Sequence, residues 1–527
     1  MITDNHTDKS QPKQSIQSPR QQVVLLVIIL VLVSILPYLS TVKNPFIWDS
    51  YDEIVENPAT RKMENIPTFF IAKMADKYKL PYYRPLQYAF YTIEYAFFIS
   101  NPTCYRIVSI SLHALVTVLL FQLLLTVRRN IKYAVIAALL FALTPGRAEA
   151  VYWIYGASNI FLAVFILLSL QLYLRKKYVT ALLAFVAALL SRESAVLFPL
   201  LLLLYENAER TDTWKIRIRR ISPYIIAVLA FIIVRTHVIG APPPISTLAP
   251  HELLYSIAVI ITTFIKILYI PDGMVAHYPY MLYATLTVQV IIALIVLALS
   301  TVLGVWIYRR SRYQFFWYSW FFIWISLWFN VGQFGSFLLT EKELYLAAAG
   351  SSVLLAHAFI RSRHAWALTI IVAVMSSTLI VVRGTYWQNA EMYYLESLKT
   401  SPRFGLLYHA LGYLMTREQN YKKAIQYYEQ GLEYASNKSQ IRTDMGYAYI
   451  YLSDTSNALQ CWEIATSEDP SNDKAPKNMG TIYYVRGEWN ESYKYYMIYL
   501  RRADRPDANV IGRINRMEFM IDKHTIH

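Results

Sequence analysis

Long apolar runs recur along the first three quarters of this chain, and runs of that length leave few folds open. They cover 23–39, 107–127, 133–151, 157–174, 223–239, 282–307, 315–330, 345–360 and 366–382. A bilayer span needs about 20 predominantly apolar residues. Within hydrocarbon, a helix satisfies its own backbone polar groups. Of 527 residues, 56% are hydrophobic and 16% charged, which is membrane composition rather than that of a soluble domain. A net charge of +15 alone would suit nucleic acid, but Lys and Arg gather in the loops between the runs, where they fix orientation. No nucleic-acid partner is therefore expected. Cys104 and Cys461 fall in different domains; no disulfide is expected between them and no metal motif uses them. Residues 1–22 are polar, and the run after them lacks a small-residue cleavage site. This predicts a cytoplasmic tail and an uncleaved first span.

The basic clusters are Arg128-Arg129 with Lys132, Arg175-Lys176-Lys177, Lys215 to Arg220, Arg309-Arg310 with Arg312, and Arg361 with Arg363. Loop charge places all of them on the cytoplasmic side. That constraint decides two stretches. Residues 178–205 lie between two basic clusters, so they must go out and return. Their apolar halves, 179–190 and 195–204, are too short for full spans: such helices cover only about 15–18 Å of a core of about 30 Å. The turn Ser191-Arg192-Glu193-Ser194 is thus expected to be recessed in the membrane. The stretch 253–269 lies between two inside clusters that 223–239 and 282–307 already connect, so it is expected to lie along the outer face or re-enter it. About eleven spans follow, with the end of the chain outside; twelve would put it in the cytoplasm.

On this topology the carboxylates and arginines gather on one side. The first external loop, 40–105, opens with Trp48-Asp49-Ser50-Tyr51-Asp52-Glu53 and contains Tyr83-Arg84-Pro85-Leu86. The second turn is Thr144-Pro145-Gly146-Arg147-Ala148-Glu149 and the third is Ser191 to Ser194. A later segment holds Pro271-Asp272-Gly273 and His277, and another begins Glu341-Lys342-Glu343. A carboxylate at the water boundary suits general-base work on a hydroxyl. Arginines at that level suit bidentate binding of a phosphate. Interfacial charge is also commonly just solvated, and Trp48 and Tyr51 could form an aromatic belt. Taken singly, Asp52, Glu56 and Lys342 have that plain explanation, and Arg147 and Glu149 could pair across their turn. Arg192 and Glu193 are different, because charge recessed in a membrane needs a reason.

The last quarter is of another kind. Gly412, Gly446 and Gly480 repeat every 34 residues, as do Ala424, Ala458 and Ser492, and Tyr428, Trp462 and Tyr496 follow four residues after those. A 34-residue period of Gly, small and aromatic residues is the tetratricopeptide (TPR) signature. Repeats are expected near 401–434, 435–468 and 469–502 within a domain 388–527, closed by a basic helix from Arg501 to Arg516. The glycines and alanines should let paired helices approach, with the aromatics filling space between repeats. The sequons at Asn437 and Asn490 end at Ser439 and Ser492, and Ser492 is a packing position.

The runs Phe46-Ile47-Trp48-Asp49 to Glu56-Asn57-Pro58, Tyr83-Arg84-Pro85-Leu86, Glu149-Ala150-Val151, Leu190-Ser191-Arg192-Glu193-Ser194 and Leu344-Tyr345-Leu346, followed by the repeats, come in an order with precedent. Together they resemble the transmembrane-and-TPR (TMTC-type) proteins, which are similar to protein O-mannosyltransferases of the glycosyltransferase-C (GT-C) superfamily. The resemblance implies an all-α fold: a GT-C-like bundle over 23–387 followed by a TPR solenoid. It implies transfer of a sugar, with inversion and without metal or other cofactor, from a polyprenyl-phosphate donor in the lipid to a protein hydroxyl. The acidic motif of the first loop would act in catalysis. This chain departs from the pattern at Ser50, where members carry a second acid, at Thr144 and Arg147, where they carry histidines, and at Arg192, where they carry Lys. The residues expected to act are Asp49 as base with Asp52 second, Arg84 and Arg192 on the donor phosphate with Glu193 orienting Arg192, and Arg147 and Glu149 in support. The TPR groove would hold the acceptor protein. The membrane would be a bacterial inner membrane with the repeats outside, or an endoplasmic-reticulum membrane with the repeats in the lumen. The rival reading is a membrane-anchored TPR scaffold without catalysis. A transporter is disfavoured, since inverted repeats and midplane charges are not evident.

Overall fold

A computed structural model describes residues 19–71, 82–209, 212–240, 248–270, 282–329, 339–503 and 506–525. The segment with Asp272 and His277 and most of the N-terminal tail lie outside these residues. Every regular element among the described residues is helical. The chain divides into two compact units: a helix bundle and, from Tyr386 onward, the repeats.

The bundle begins with α1 (Pro19–Ile35), which runs on as a 3-10 turn, Leu36–Thr41. In the first loop, α2 (Pro85–Phe98) precedes α3 (Pro102–Arg128). Asn101 caps α3 by accepting the Thr103 amide hydrogen, with Pro102 in the first turn. Arg129, in the left-handed region at φ 53°, ends α3, and Asn130 caps α4 (Ile131–Ala142) at once. The run 133–151 is thus not one helix. Thr144 is extended ahead of Pro145, as a residue before proline prefers, and the chain breaks into short turns at 145–147 and 149–152. Next come α5 (Ala157–Leu174), α6 (Tyr178–Ser191), α7 (Phe198–Glu209), α8 (Trp214–Ile239) and α9 (Pro250–Tyr269). After them come α10 (Val288–Arg310), α11 (Arg312–Ile325), α12 (Leu344–Phe359) and α13 (Ala365–Thr385).

Seven helices among the described residues are long and apolar enough to cross a membrane: α1 with its 3-10 extension, α3, α5 with the turn before it, α8, α9, α10 and α13. The helices α4, α6, α7, α11 and α12 are shorter. At 1.5 Å per residue, α6 and α7 reach only about 21 and 18 Å. The stretch expected to stay at the surface is an unbroken 20-residue helix, α9, as long as a span. Lys266 does not interrupt it, because it sits in the last turn, where a long stem can carry its charge outward. The end of α9 comes so close to the 145–147 turn that a Cβ on Gly146 would strike the Ile267 carbonyl.

Small residues and aromatics set the core. On α11 the rings of Tyr313, Trp317, Trp320 and Trp324 form a stripe at three- and four-residue spacing, with centroids 6.4, 5.2 and 5.8 Å apart. Opposite lies the Ala-Ala-Ala-Gly-Ser-Ser stretch of α12; a Cβ at Gly350 would come to 2.5 Å from the Trp317 carbonyl. Such approach is typical of helices packed in membranes. Trp320 Nε1 donates to the Leu346 carbonyl at 2.8 Å.

The turns sort into two ends. At one end Arg128 lies 3.5 Å over the Tyr313 ring, Tyr133 and Tyr313 share a hydrogen bond of 3.4 Å, and Gln314 meets His357. At the other, Arg106 donates to the carbonyls of Asn44, Pro45 and Tyr152, and Arg383 pairs with Glu341 at 2.5 Å while donating to the Pro145 carbonyl.

In the second unit α14 (Ala390–Thr400) precedes three helix pairs: α15 (Gly405–Arg417) with α16 (Tyr421–Tyr434), α17 (Lys438–Tyr451) with α18 (Thr455–Glu468), and α19 (Lys474–Arg486) with α20 (Trp489–Arg502). This is the TPR solenoid. Gly412, Gly446 and Gly480 lie flat against Tyr428, Trp462 and Tyr496, where an added Cβ would enter the ring. The rings cover the glycine of their own repeat, and, as expected, Tyr428 and Trp462 also fill space between repeats: Tyr428 clusters with Ile441, Met445 and Ala448, and Trp462 with Ala475 and Met479. Consecutive first helices are joined by polar pairs: His409–Asp444 at 2.7 Å, Tyr447–Asn478 at 2.8 Å, and Lys477 to Asp507, just before the last helix, at 2.7 Å. That helix, α21 (Ala508–Thr525), starts seven residues after Arg501 and covers Tyr496 and Tyr499 with Val510, Ile514 and Met517. Ser439 and Ser492 are both buried and bonded to carbonyls.

Candidate functional site

Five short segments of the bundle carry the candidate residues: 48–56, 82–85, 145–152, 191–194 and 341–343. The first is set by one unusual torsion. Trp48 has φ 56°, a left-handed conformation that a bulky residue adopts only when its surroundings impose it. The chain turns there and enters a rare π-helical turn, Tyr51–Glu56. Ser50 is fully buried, and its Oγ accepts the Tyr155 amide hydrogen at 3.2 Å. The position where a second acid was expected thus ties the loop to the bundle.

Asp49 is half-buried, Glu53 is half-buried and Asp52 is exposed. Burial pushes Asp49 up to about 6, with Lys342 the main counterweight and Asp52 adding to the rise. Burial, with Asp49 adding, pushes Glu53 up to about 7, against a hydrogen bond from Asn57.

The turn Glu341–Glu343 is a single 3-10 turn, in which successive side chains point about 120° apart. Its three charges go three ways. Glu341 pairs with Arg383. Glu343 takes both its oxygens to Arg192 Nη2, at 2.6 and 2.7 Å. The Lys342 ammonium lies 3.8 Å over the Trp153 ring, while its amide donates to Glu149 Oε2 at 3.0 Å. Burial lowers the Lys342 ammonium, and Glu149, Glu343 and Asp49 hold it up. Burial raises Glu149, and Lys342 counters that.

The charged side chains pair differently from the expectation. Arg192 does not pair with Glu193. Its second partner is Ser158 Oγ, at 3.0 Å, and the extended backbone at Arg192 sends neighbouring side chains apart. Glu193 instead binds Arg84 Nε at 2.7 Å. The Arg84 guanidinium stacks 4.0 Å over Tyr82, and its two terminal nitrogens have no hydrogen bond to a described residue. Arg147 and Glu149 do not pair either. Arg147 turns into a buried aromatic pocket, 4.0 Å over Phe141 and 4.9 Å over Tyr345, with His113 accepting at 3.4 Å. Glu149 faces Lys342.

Asp49, Glu53, Arg84, Arg192, Glu193 and Glu149 therefore share one charged region, linked through Lys342, Tyr88 and Tyr155. Arg147 is not part of it. Lys342, expected to be merely solvated, sits inside this region instead; Glu343, Trp153 and Ser158 belong to it without having been expected to. The one signal available was Glu-Lys-Glu, three consecutive charges beside an apolar helix start. No group of His, Cys, Asp and Glu among the described residues could hold a metal ion.

No family model matches the chain. It is similar to the protein O-mannosyl-transferase F38B6.6 of Caenorhabditis elegans, 25% identical over 190 residues, 34% of this chain and 27% of that protein. The alignment thus spans about a quarter of the relative's length. Among solved structures, the APC/C hetero-tetramer Cut9-Hcn1 aligns over 86% of this chain and 96% of that chain, with 11% identity and a TM-score of 0.24, too low to carry an argument. The chain resembles the transmembrane-and-TPR proteins in its apolar helices, its repeats and this named relative.

Proposed function

We propose that the chain is a membrane glycosyltransferase of GT-C type that moves a sugar from a polyprenyl-phosphate donor to a protein hydroxyl on the extracytoplasmic face. The observation that carries the reading is the carboxylate of Asp49, half-buried and raised by burial to about 6 against the charge of Lys342, in one region with two arginine–carboxylate pairs. A base works best when its own pKa lies near the working pH. Asp49 takes the acceptor proton, and exposed Asp52 lies three residues away to receive the acceptor. Arg84 offers its terminal nitrogens to the donor phosphate, with Glu193 fixing the guanidinium. The fork of Arg192 is taken by Glu343, so Arg192 supports the site more than it grips the donor. The repeats present the acceptor polypeptide.

Ser50 favours a second reading. Its hydroxyl is spent on the Tyr155 amide, so the motif has one acid fewer, as a non-catalytic TPR scaffold would tolerate. Asp49→Asn keeps shape and removes basicity, and losing a general base costs typically 10²–10⁴-fold in rate. The variant should accumulate like wild type and fail to transfer sugar from a polyprenyl-phosphate donor to envelope or secretory protein. Full complementation of a deletion by Asp49→Asn with Asp52→Asn would establish the scaffold instead.

A further inference from the structure

We infer that the Arg147 guanidinium holds a small monovalent inorganic anion, a halide such as chloride, inside the bundle, and that this ion stabilises the fold. Neither the ion nor its site depends on the sugar-transfer reading.

Arg147 is a fully buried cation in aromatic surroundings, 4.0 Å from the Phe141 ring and 4.9 Å from the Tyr345 ring. Four other elements meet around its 145–147 turn: the 36–41 turn through Tyr38, α3 through His113, α4 through Phe141 and α12 through Tyr345. Ring faces attract a cation but do not neutralise it. A charge left uncompensated in a low-dielectric interior is strongly disfavoured. The carboxylates of the adjoining turns are engaged elsewhere, Glu341 by Arg383 and Glu149 by the Lys342 amide.

Tyr345 does not supply the missing negative charge. Nε2 of His113 lies 3.2 Å from the Ala142 carbonyl, which can only accept, so Nε2 carries a hydrogen. Nδ1 faces Nη1 of Arg147 at 3.4 Å. Two N–H groups do not point at each other, so Nδ1 is bare. It therefore accepts from the Tyr345 hydroxyl at 2.7 Å, and Tyr345 is a neutral phenol.

The donors, by contrast, are in excess. Nε and Nη2 of Arg147 are buried and have no hydrogen-bond partner among the described residues. They form the side edge of the guanidinium, where two N–H bonds run parallel, and that fork is the one that binds anions. The Tyr38 hydroxyl is buried and unpartnered as well, on a ring packed edge-on against His113 at 5.4 Å. The group that suits these donors accepts without donating, carries one negative charge to match one guanidinium, and is small enough for a closed, ring-lined pocket. A halide meets all three conditions. Sulfate or phosphate brings more charge and more oxygens than these donors satisfy.

The test uses the full chain in detergent. Thermal unfolding is followed in chloride, bromide, gluconate and sulfate salts at equal ionic strength. Wild type should gain stability with chloride and bromide, by a constant increment for each tenfold rise in concentration above Kd, and not with gluconate or sulfate. Arg147→Met removes the cation and with it the need for a counterion, so its midpoint should not respond to halide. If that variant does not fold, Arg147→Lys keeps a charge without the fork and should need about tenfold more halide, or above, for the same shift. In wild-type crystals soaked in bromide, an anomalous-scattering peak should lie beside Nε and Nη2 of Arg147. A wild type indifferent to halide overturns the inference, and so does a crystal with no peak at Arg147. A gain with sulfate equal to that with chloride, or the same halide dependence in wild type and in whichever variant folds, assigns the effect to salt in general or to another site and overturns it too.

Discussion

Asp49 and Glu53 carry a cost that their positions impose, and its sign is open to measurement. Both have folded pKa values raised above their ordinary ones, to about 6 and about 7. Each therefore contributes stability that is fully present below its ordinary pKa and is lost as pH rises through the folded value. Asp49→Asn stays neutral throughout, so it should gain over wild type as pH goes from 5 to 7.5, by about 1–2 kcal/mol after allowing for solvent screening. Melting curves of both proteins at the two pH values check this, and a gap that shrinks with rising pH would contradict it. The arginine pairs make a second prediction. Arg192→Met strands Glu343, not Glu193, and breaking such a pair costs about 3–5 kcal/mol. Adding Glu343→Gln should restore most of that stability, and adding Glu193→Gln should not. A thermal-shift series of the three variants separates the pairings. The sequence marked Arg192 through its unusual depth and Arg84 through its place in the first-loop run Tyr83-Arg84-Pro85-Leu86. It could not show their partners, because one extended residue at Arg192 sends adjacent side chains to different helices.

At the scale of elements, the glycines of the repeats and of the last helix make opposite predictions. Gly446 lies against the Trp462 ring, whereas Gly512 in α21 is exposed with nothing within 4 Å. Gly446→Ala should destabilise the second unit by about 1–3 kcal/mol through overpacking. Gly512→Ala should stabilise it by about 0.5–1 kcal/mol, since Ala is the better helix former. Denaturant midpoints of the two variants decide. The 34-residue period made the first of these positions legible, because repetition exposes a packing rule that one copy would hide. The assignment of the aromatics to gaps between repeats holds for Tyr428 and Trp462, but the period did not show that each ring also covers the glycine of its own repeat. The short helices of the bundle were legible in part. Residues 178–205 broke where expected at Arg192, but 133–151 was read as one run because its residues stay apolar on both sides of the Thr144-Pro145 break.

For the whole molecule, the sorting of turns into a basic end and an acid-bearing end makes orientation the natural experiment. Short basic loops favour the cytoplasm. The helix α13 starts just after the basic Arg361 and Arg363 and ends beside the acid-bearing turns, where Arg383 meets Glu341. A reporter fused after His527 that works only in the cytoplasm should therefore be silent, and strong activity would reverse the orientation. Span number was the least legible quantity. It turned on 253–269, where the parity of crossings between two cytoplasmic basic clusters was allowed to outweigh a full helix of apolar residues. The clamp at Arg106 has a separate consequence. Its guanidinium is held by the carbonyls of Asn44, Pro45 and Tyr152, with no carboxylate among these partners. Peeling the start of the first loop away would leave a bare cation in a low-dielectric interior. The loop and the 149–152 turn should then open together or not at all, as one cooperative unit. In hydrogen exchange, the amides of Ser50 and Tyr155 would report a shared opening free energy well above that of an ordinary surface loop.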